Sequence, residues 1–227
     1  METSKTEKYF LFGLLAVILI LAIANMYYMS NERFPLKYIQ GCTIKAIYNT
    51  RVSRSQTEIR QVNEYGGGRF GFIIDLVKKK RSEHDEIFAF LNKMRGRKET
   101  FKLVIPFYSF TKTGYGGSML VDGANQTGSA VQVDGMTANT KVLKAGDFVK
   151  FSNHNKVYII TADLISSAGG AGTLEISPNL FVSPNNDSNV VFNDVEFTVA
   201  NAKDEITLDL DLSVRAGFNI ELEEVFN

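Results

Sequence analysis

Two histidines, one cysteine and a short alternating acidic strand are the groups in this 227-residue chain best suited to chemistry. Asp209 and Asp211 lie two apart in "ITLDLDLSV", so on a strand they share one face with backbones about 7 Å apart. That separation suits a shared metal ion or an acid/base pair. A solvated acidic face explains them equally simply, because Leu208, Leu210 and Leu212 alternate to the opposite side. His84 and His154 each stand alone, without a second histidine, a cysteine or paired carboxylates at ligand spacing. The serines of "GGS" and "GSA" lack the G-x-S-x-G frame of a nucleophile elbow. Cys42, being single, allows neither an internal disulfide nor a multi-cysteine zinc site; within the strand-like "IQGCTIKAI" it reads as a buried, inert thiol. The triple glycine at 66–68 has no Lys-Ser or Lys-Thr pair after it, so it is not a phosphate-binding loop. Lys78, Lys79, Lys80 and Arg81 form a basic run open to nucleic acid, to a protein partner or to solvent alone. The sequence therefore assigns no catalytic, cofactor-binding or metal-binding residue, and no enzymatic activity.

The elements that carry these groups are mostly strands. Seventeen Phe, nine Tyr and 18 Gly against four Pro lean toward β structure. Residues 39–53 alternate loosely and predict one or two strands. Residues 58–65 and 69–77 flank the triple glycine, which predicts a hairpin turn or a bulge between them. One helix is expected over 82–95, with Ser82 as N-cap, Asp85 completing a capping-box-like pair, and acidic residues in the first turn. Gly96 supplies its stop, and Ile87, Phe88, Phe90, Leu91 and Met94 its apolar stripe. Residues 101–110 predict the next strand, with Pro106 marking an edge or a bend.

From about Thr111 to Pro184 the texture changes to dense turn formers, "TGYGGS", "VDGANQTGS" and "VDGMTANT". Two strands, 148–152 and 157–161, bracket the polar 153–155 turn, and "SSAGGAG" at 166–172 links later strands. Strands resume at 190–192 and 195–200, followed by 206–214 and the closing "FNIELEEVF".

Net charge is zero, but it is unevenly spread. Residues 33–102 hold 16 Lys or Arg against seven Asp or Glu, 112–175 hold five against five, and 187–227 hold two against ten. The basic first part and acidic last part are suited to complement each other, with the neutral centre inserted between them. The expected domains are an apolar N-terminal segment, 1–28; a discontinuous β domain, 29–110 with 185–227; and an inserted small β domain, 111–184. Residues 9–28 are apolar behind Lys5 and Lys8, and predict an N-terminal apolar helix. Membrane anchor, signal peptide and a start upstream of the working Met29 all stay open for it.

Several pieces occur in a characteristic order: "FLNKMRGRKETFKL" at 90–103, "VDGANQTGSAVQVDG" at 121–135, "LKAGDFVKF" with "KVYIITAD", then "GAGTLEISPNL" and "FNIELEEVF". In that order, over about residues 30–226, the chain resembles the distal tail proteins of long-tailed bacteriophages. The resemblance implies a mainly β fold: a tube-like β-barrel or sandwich with one flanking helix, plus an inserted small β-barrel. It implies a structural virion protein in the phage tail, without cofactors, forming a ring of six copies at the distal end of the tail tube that links the tube to the tail tip. Its partners would be further copies of itself, tail-tube and tail-tip proteins, with DNA only as passing cargo. Asp209 and Asp211 would then face the lumen. Residues 9–28 depart from that pattern and leave a membrane contact open. Two other readings stand beside this one: a membrane-anchored or secreted β-rich surface protein with a carbohydrate-binding module, and another tail component such as a tube or completion protein.

Overall fold

The computed structural model describes residues 32–35, 39–54, 58–64, 67–77, 79–210, 215–217 and 219–226. The apolar stretch 9–28 and Asp211 fall outside these residues. Among the described residues, no helix is long and apolar enough to cross a membrane.

The fold is mainly β with one described α-helix, and its buried apolar residues form two clusters. The first cluster lies on a five-stranded antiparallel sheet of order β1-β4-β18-β15-β6: Ile39–Ile47, Arg69–Leu76, Asn219–Glu224, Glu196–Asn201 and Phe101–Val104. Alternation decides which face is buried. Phe70, Phe72 and Ile74 of β4, Ile220 and Leu222 of β18, and Phe197 and Val199 of β15 all point into one core. Helix α1 (Arg81–Met94) covers that core with Ile87, Leu91 and Met94, each nearly solvent-free. Those three side chains contribute on the order of 6 kcal/mol before chain entropy is subtracted. Phe34, Phe90 and Phe101 extend the contact as a trio of rings, with centroids 5.3–5.9 Å apart. The helix ends at Met94, and Arg95 (φ +53°) and Gly96 (φ +65°) follow in the left-handed region, the second where glycine suits it. A Cβ there would lie 2.8 Å from Asp204 Oδ1, so only glycine lets the 203–205 loop pass so close.

The second cluster fills a six-stranded sheet of order β14-β10-β11-β13-β8-β7: Val190–Val191, Phe148–Phe151, Val157–Ile160, Gly172–Ser177, Ala130–Asp134 and Leu120–Val121. The two end strands approach one another through the Leu120–Asn189 bridge, so the sheet is a nearly closed barrel. Two backbone bonds of 3.0 Å seal the seam, from Val121 N–H to Ser188 O and from Val190 N–H to Met119 O. The expected 148–161 hairpin is present, with Phe148 opposite Ile159 and Lys150 opposite Val157. A short two-stranded ladder, β9 (Lys141–Leu143) with β12 (Leu164–Ile165), caps the barrel. In the 166–172 loop, Gly170 has φ +76°, and a Cβ would sit 2.3 Å from Met136 O, a contact no side chain tolerates.

Three details depart from the sequence reading. The strands flanking the triple glycine do not pair with each other: β4 pairs with β1, while β3 (Arg60–Glu64) pairs with β2 (Thr50–Arg54). Gly67 and Gly68 instead lead into β4, away from the outer ribbon. The expected 101–110 strand stops at Val104 and continues as a 3-10 turn, Pro106–Tyr108, because Pro106 has no N–H for a ladder and its fixed φ suits a helical first position. Helix α1 begins one residue early, at Arg81, which places Ser82 inside the first turn.

Candidate assembly interface

Where the two cores meet, the chain buries an ion pair. Lys156 opens the second arm of the barrel hairpin, and Glu224 ends β18; both side chains are fully buried. Lys156 Nζ donates to Glu224 Oε2 at 2.6 Å and to Val157 O at 2.9 Å. Its remaining surface faces aromatic rings, 4.9 Å from the centroid of Phe70 and 5.6 Å from those of Tyr158 and Phe226. Glu224 Oε1 accepts from Val157 N–H at 2.9 Å, and Oε2 accepts from Phe70 N–H at 3.0 Å. One carboxylate thus holds a strand of the barrel and a strand of the open sheet at once. Burial pushes the Lys156 ammonium below the usual lysine range, while Glu224 pulls the other way. Such a pair contributes little net stability against a hydrophobic replacement, but losing one partner strands a buried charge.

A second polar chain runs outward from this point. Tyr158 Oη accepts from Phe181 N–H at 3.1 Å and lies 3.0 Å from His154 Nε2, and His154 Nδ1 lies 2.8 Å from Asn153 Oδ1. Burial, reinforced by Lys156 and Lys150, lowers the His154 imidazole to about 4, so it is neutral at pH 7. Burial raises the Tyr158 phenol to about 12. His154 is therefore a structural hydrogen-bonding group in the barrel's hairpin turn. Around the junction, Phe181 stacks edge-on against Phe226 at 4.5 Å, and Tyr48 Oη reaches Ser177 Oγ at 3.1 Å. Tyr48, Phe181 and Val182 are exposed beside one another and form an apolar rim.

The remaining candidate residues are dispersed. Asp209 pairs with Gly217 in a short ladder with Arg215–Gly217, and Asp211 lies outside the described residues. His84 lies in the first turn of α1. No cluster of three metal-ligating side chains occurs among the described residues. Cys42 is half-buried in β1 against the first core, and burial with nearby Asp75 pushes its thiol up, as an unreactive thiol requires.

Sequence reasoning missed Lys156 and Glu224, yet a signal was there. In "NIELEE" the buried phase is Ile220, Leu222, Glu224, so the glutamate shares the face of two core residues. A carboxylate in the apolar phase of a strand needs a buried partner.

A second feature stands out from the surface. The β2–β3 ribbon pairs Val52 with Val62 and Arg54 with Arg60, and every described side chain of β2 is exposed. On the other side of the open sheet, Ile73, Leu91, Ile206 and Ile220 line a cleft of ≈ 310 Å³ rimmed by Lys203, Glu205 and Glu221.

Compared with known families, residues 110–195 match the model of the distal tail protein pb9, B domain. No curated protein matches the chain. The matched segment contains the whole barrel, from β7 through β14.

Proposed function

Taking as premise a chain that carries a phage distal tail protein B domain and belongs to the virion tail, we propose that it forms a ring at the end of the tail tube and joins tube to tail tip. The observation that carries this reading is the family match over the complete barrel. The part is structural: its conspicuous polar groups are spent on internal hydrogen bonds, and the family is one of structural tail proteins. Copies associate with one another, most simply as six, and with tube and tip proteins.

The domain arrangement goes with it. Residues 29–110 and 185–227 build the tube-like domain, and 111–184 form the insert, with Val190–Val191 as the strand that completes its barrel. Two apolar clusters favour a two-part arrangement, with Phe148 and Val157 of the barrel packed into the first and Val190 and Phe192 into the second. Asp209 and Asp211 are proposed for the lumen, where an acidic wall keeps phosphates from binding, whereas a lysine-rich wall would trap DNA through counterion release. Changing both to lysine is expected to leave rings intact and slow DNA ejection, with relief at high salt; normal ejection at low salt would refute the lumen role. Negative-stain imaging of residues 29–227 tests the main reading. Rings of tail-tube width are expected, and monodisperse monomers at all concentrations would overturn it.

A further inference from the structure

The exposed ribbon poses a physical problem that its own copy does not solve. Two-stranded ribbons are marginal in water, and this one has Val52 and Val62, each about half exposed (49% and 47%), paired on one face. Beside them Arg54 lies directly opposite Arg60, and like charges so placed repel. Among the described residues neither arginine has an ion-pair partner. An apolar pair beside a cationic pair calls for an acceptor that is apolar and acidic.

The same chain carries such an acceptor. The cleft between α1, β18 and the 203–207 loop is lined by Ile73 and Ile206, which are half-buried and supply its apolar floor, and by Leu91 and Ile220, which the core already covers. On its rim stand Glu205 and Glu221, with Lys203 already 3.3 Å from Glu221; next to them Asp204 accepts from the Arg97 N–H at 3.1 Å, and Arg97 Nε donates to Ala202 O. The two features lie at opposite ends of one ladder. The ribbon leaves the sheet beyond the Ile47–Arg69 pair, whereas the cleft is lined by Ile73 and by Asn219, Ile220 and Glu221, the last two facing Ile74 and Ile73 toward the other end. A ribbon extending away from its own cleft meets a different copy's.

We propose that the β2–β3 ribbon of one copy docks in the cleft of the next, its Val52–Val62 pair on the apolar floor and its Arg54–Arg60 pair against Asp204, Glu205 and Glu221. Donor and acceptor on different faces make a head-to-tail contact, which closes into a ring when the rotation per copy allows. The proposal rests on the ring reading and supplies its contact.

The test is charge reversal in the full chain, with oligomeric state followed by analytical ultracentrifugation and circular dichroism confirming the fold. Arg54→Glu with Arg60→Glu is expected to weaken association about 100-fold, and so is Asp204→Lys with Glu205→Lys, since like charges then face each other. Mixing the two variants, or combining all four changes in one chain, is expected to restore assembly. If both reversed variants assemble normally, the docking is wrong and the ring reading stands. If each disrupts assembly and the combination does not rescue it, ribbon and cleft are not partners. If the unaltered chain never self-associates, the ring reading fails, and the docking with it.

Discussion

The barrel and the open sheet are built from similar strands but end differently. In the barrel the first and last strands meet through the Leu120–Asn189 bridge, so the sheet closes on itself. In the five-stranded sheet, β1 lies at one edge and continues into a ribbon that pairs only with itself. A closed sheet has no edge to offer, and an open one must cover its edges or use them. The barrel is therefore a finished module, and the open sheet with its ribbon is the part that has surface left for other chains. Between them, Lys156 and Glu224 fix how the finished part is seated on the open one.

Breaking that seat should have the largest effect. Lys156→Met leaves Glu224 buried without its cation and is expected to cost about 3–5 kcal/mol in denaturant unfolding. Adding Glu224→Gln should recover part of that, because it removes the stranded charge, although the amide's single oxygen can accept from only one of the Phe70 and Val157 N–H groups. If the double variant is as unstable as the single, the pair is not the seat. Tyr158→Phe comes next: it removes the acceptor of the Phe181 N–H and should cost about 1–2 kcal/mol. An unchanged midpoint would mean that the 178–184 loop is held by its aromatic contacts alone.

The pH dependence is smaller and has a definite sign. His154 titrates near 4 in the folded chain and near 6.5 when unfolded, so between those values the unfolded chain binds more protons. Its contribution to stability is thus full above pH 6.5 and is lost as pH falls toward 4. Because the ring is only partly buried, the loss should be on the order of 1 kcal/mol. His154→Gln should flatten this part of the stability curve, and an equally steep curve would assign the slope to other groups. The smallest effect belongs to the ribbon. Val52→Thr with Val62→Thr should change monomer stability by no more than about 0.5 kcal/mol; a larger loss would place those valines against their own copy.

Much of this contrast could be read from the residues. The 148–161 hairpin was legible because its apolar alternation flanks a polar turn, and α1 because a single stripe ends at Gly96. Pairing across long separations was not. Nothing local in "RFGFIIDL" reveals that β18, more than a hundred residues later, lies beside it. The triple glycine misled for the same reason: it permits a hairpin, and only the partner strands decide whether one forms. At the junction, the phase of Glu224 marked a buried carboxylate, but the identity of Lys156 as its partner depended on how the two sheets meet. Asp209 and Asp211 showed the limit of spacing alone, since an alternating acidic strand fits a wet sheet face as well as a site.

The order of strands in the open sheet also bears on how the chain is made. β18 sits between β4 and β15 near the middle of that sheet, although it is translated after every other described strand. The barrel's strands are complete by residue 191. The open sheet lacks its middle strand, and the carboxylate that seats the barrel, until residues 219–224 are made. A copy cut short by a premature stop or by proteolysis before residue 219 would carry an intact barrel on an unfinished sheet. Such a copy lacks Asn219, Ile220 and Glu221 of the cleft, and so fails as a building block. The strand order thus makes the open sheet and its cleft depend on residues 219–224.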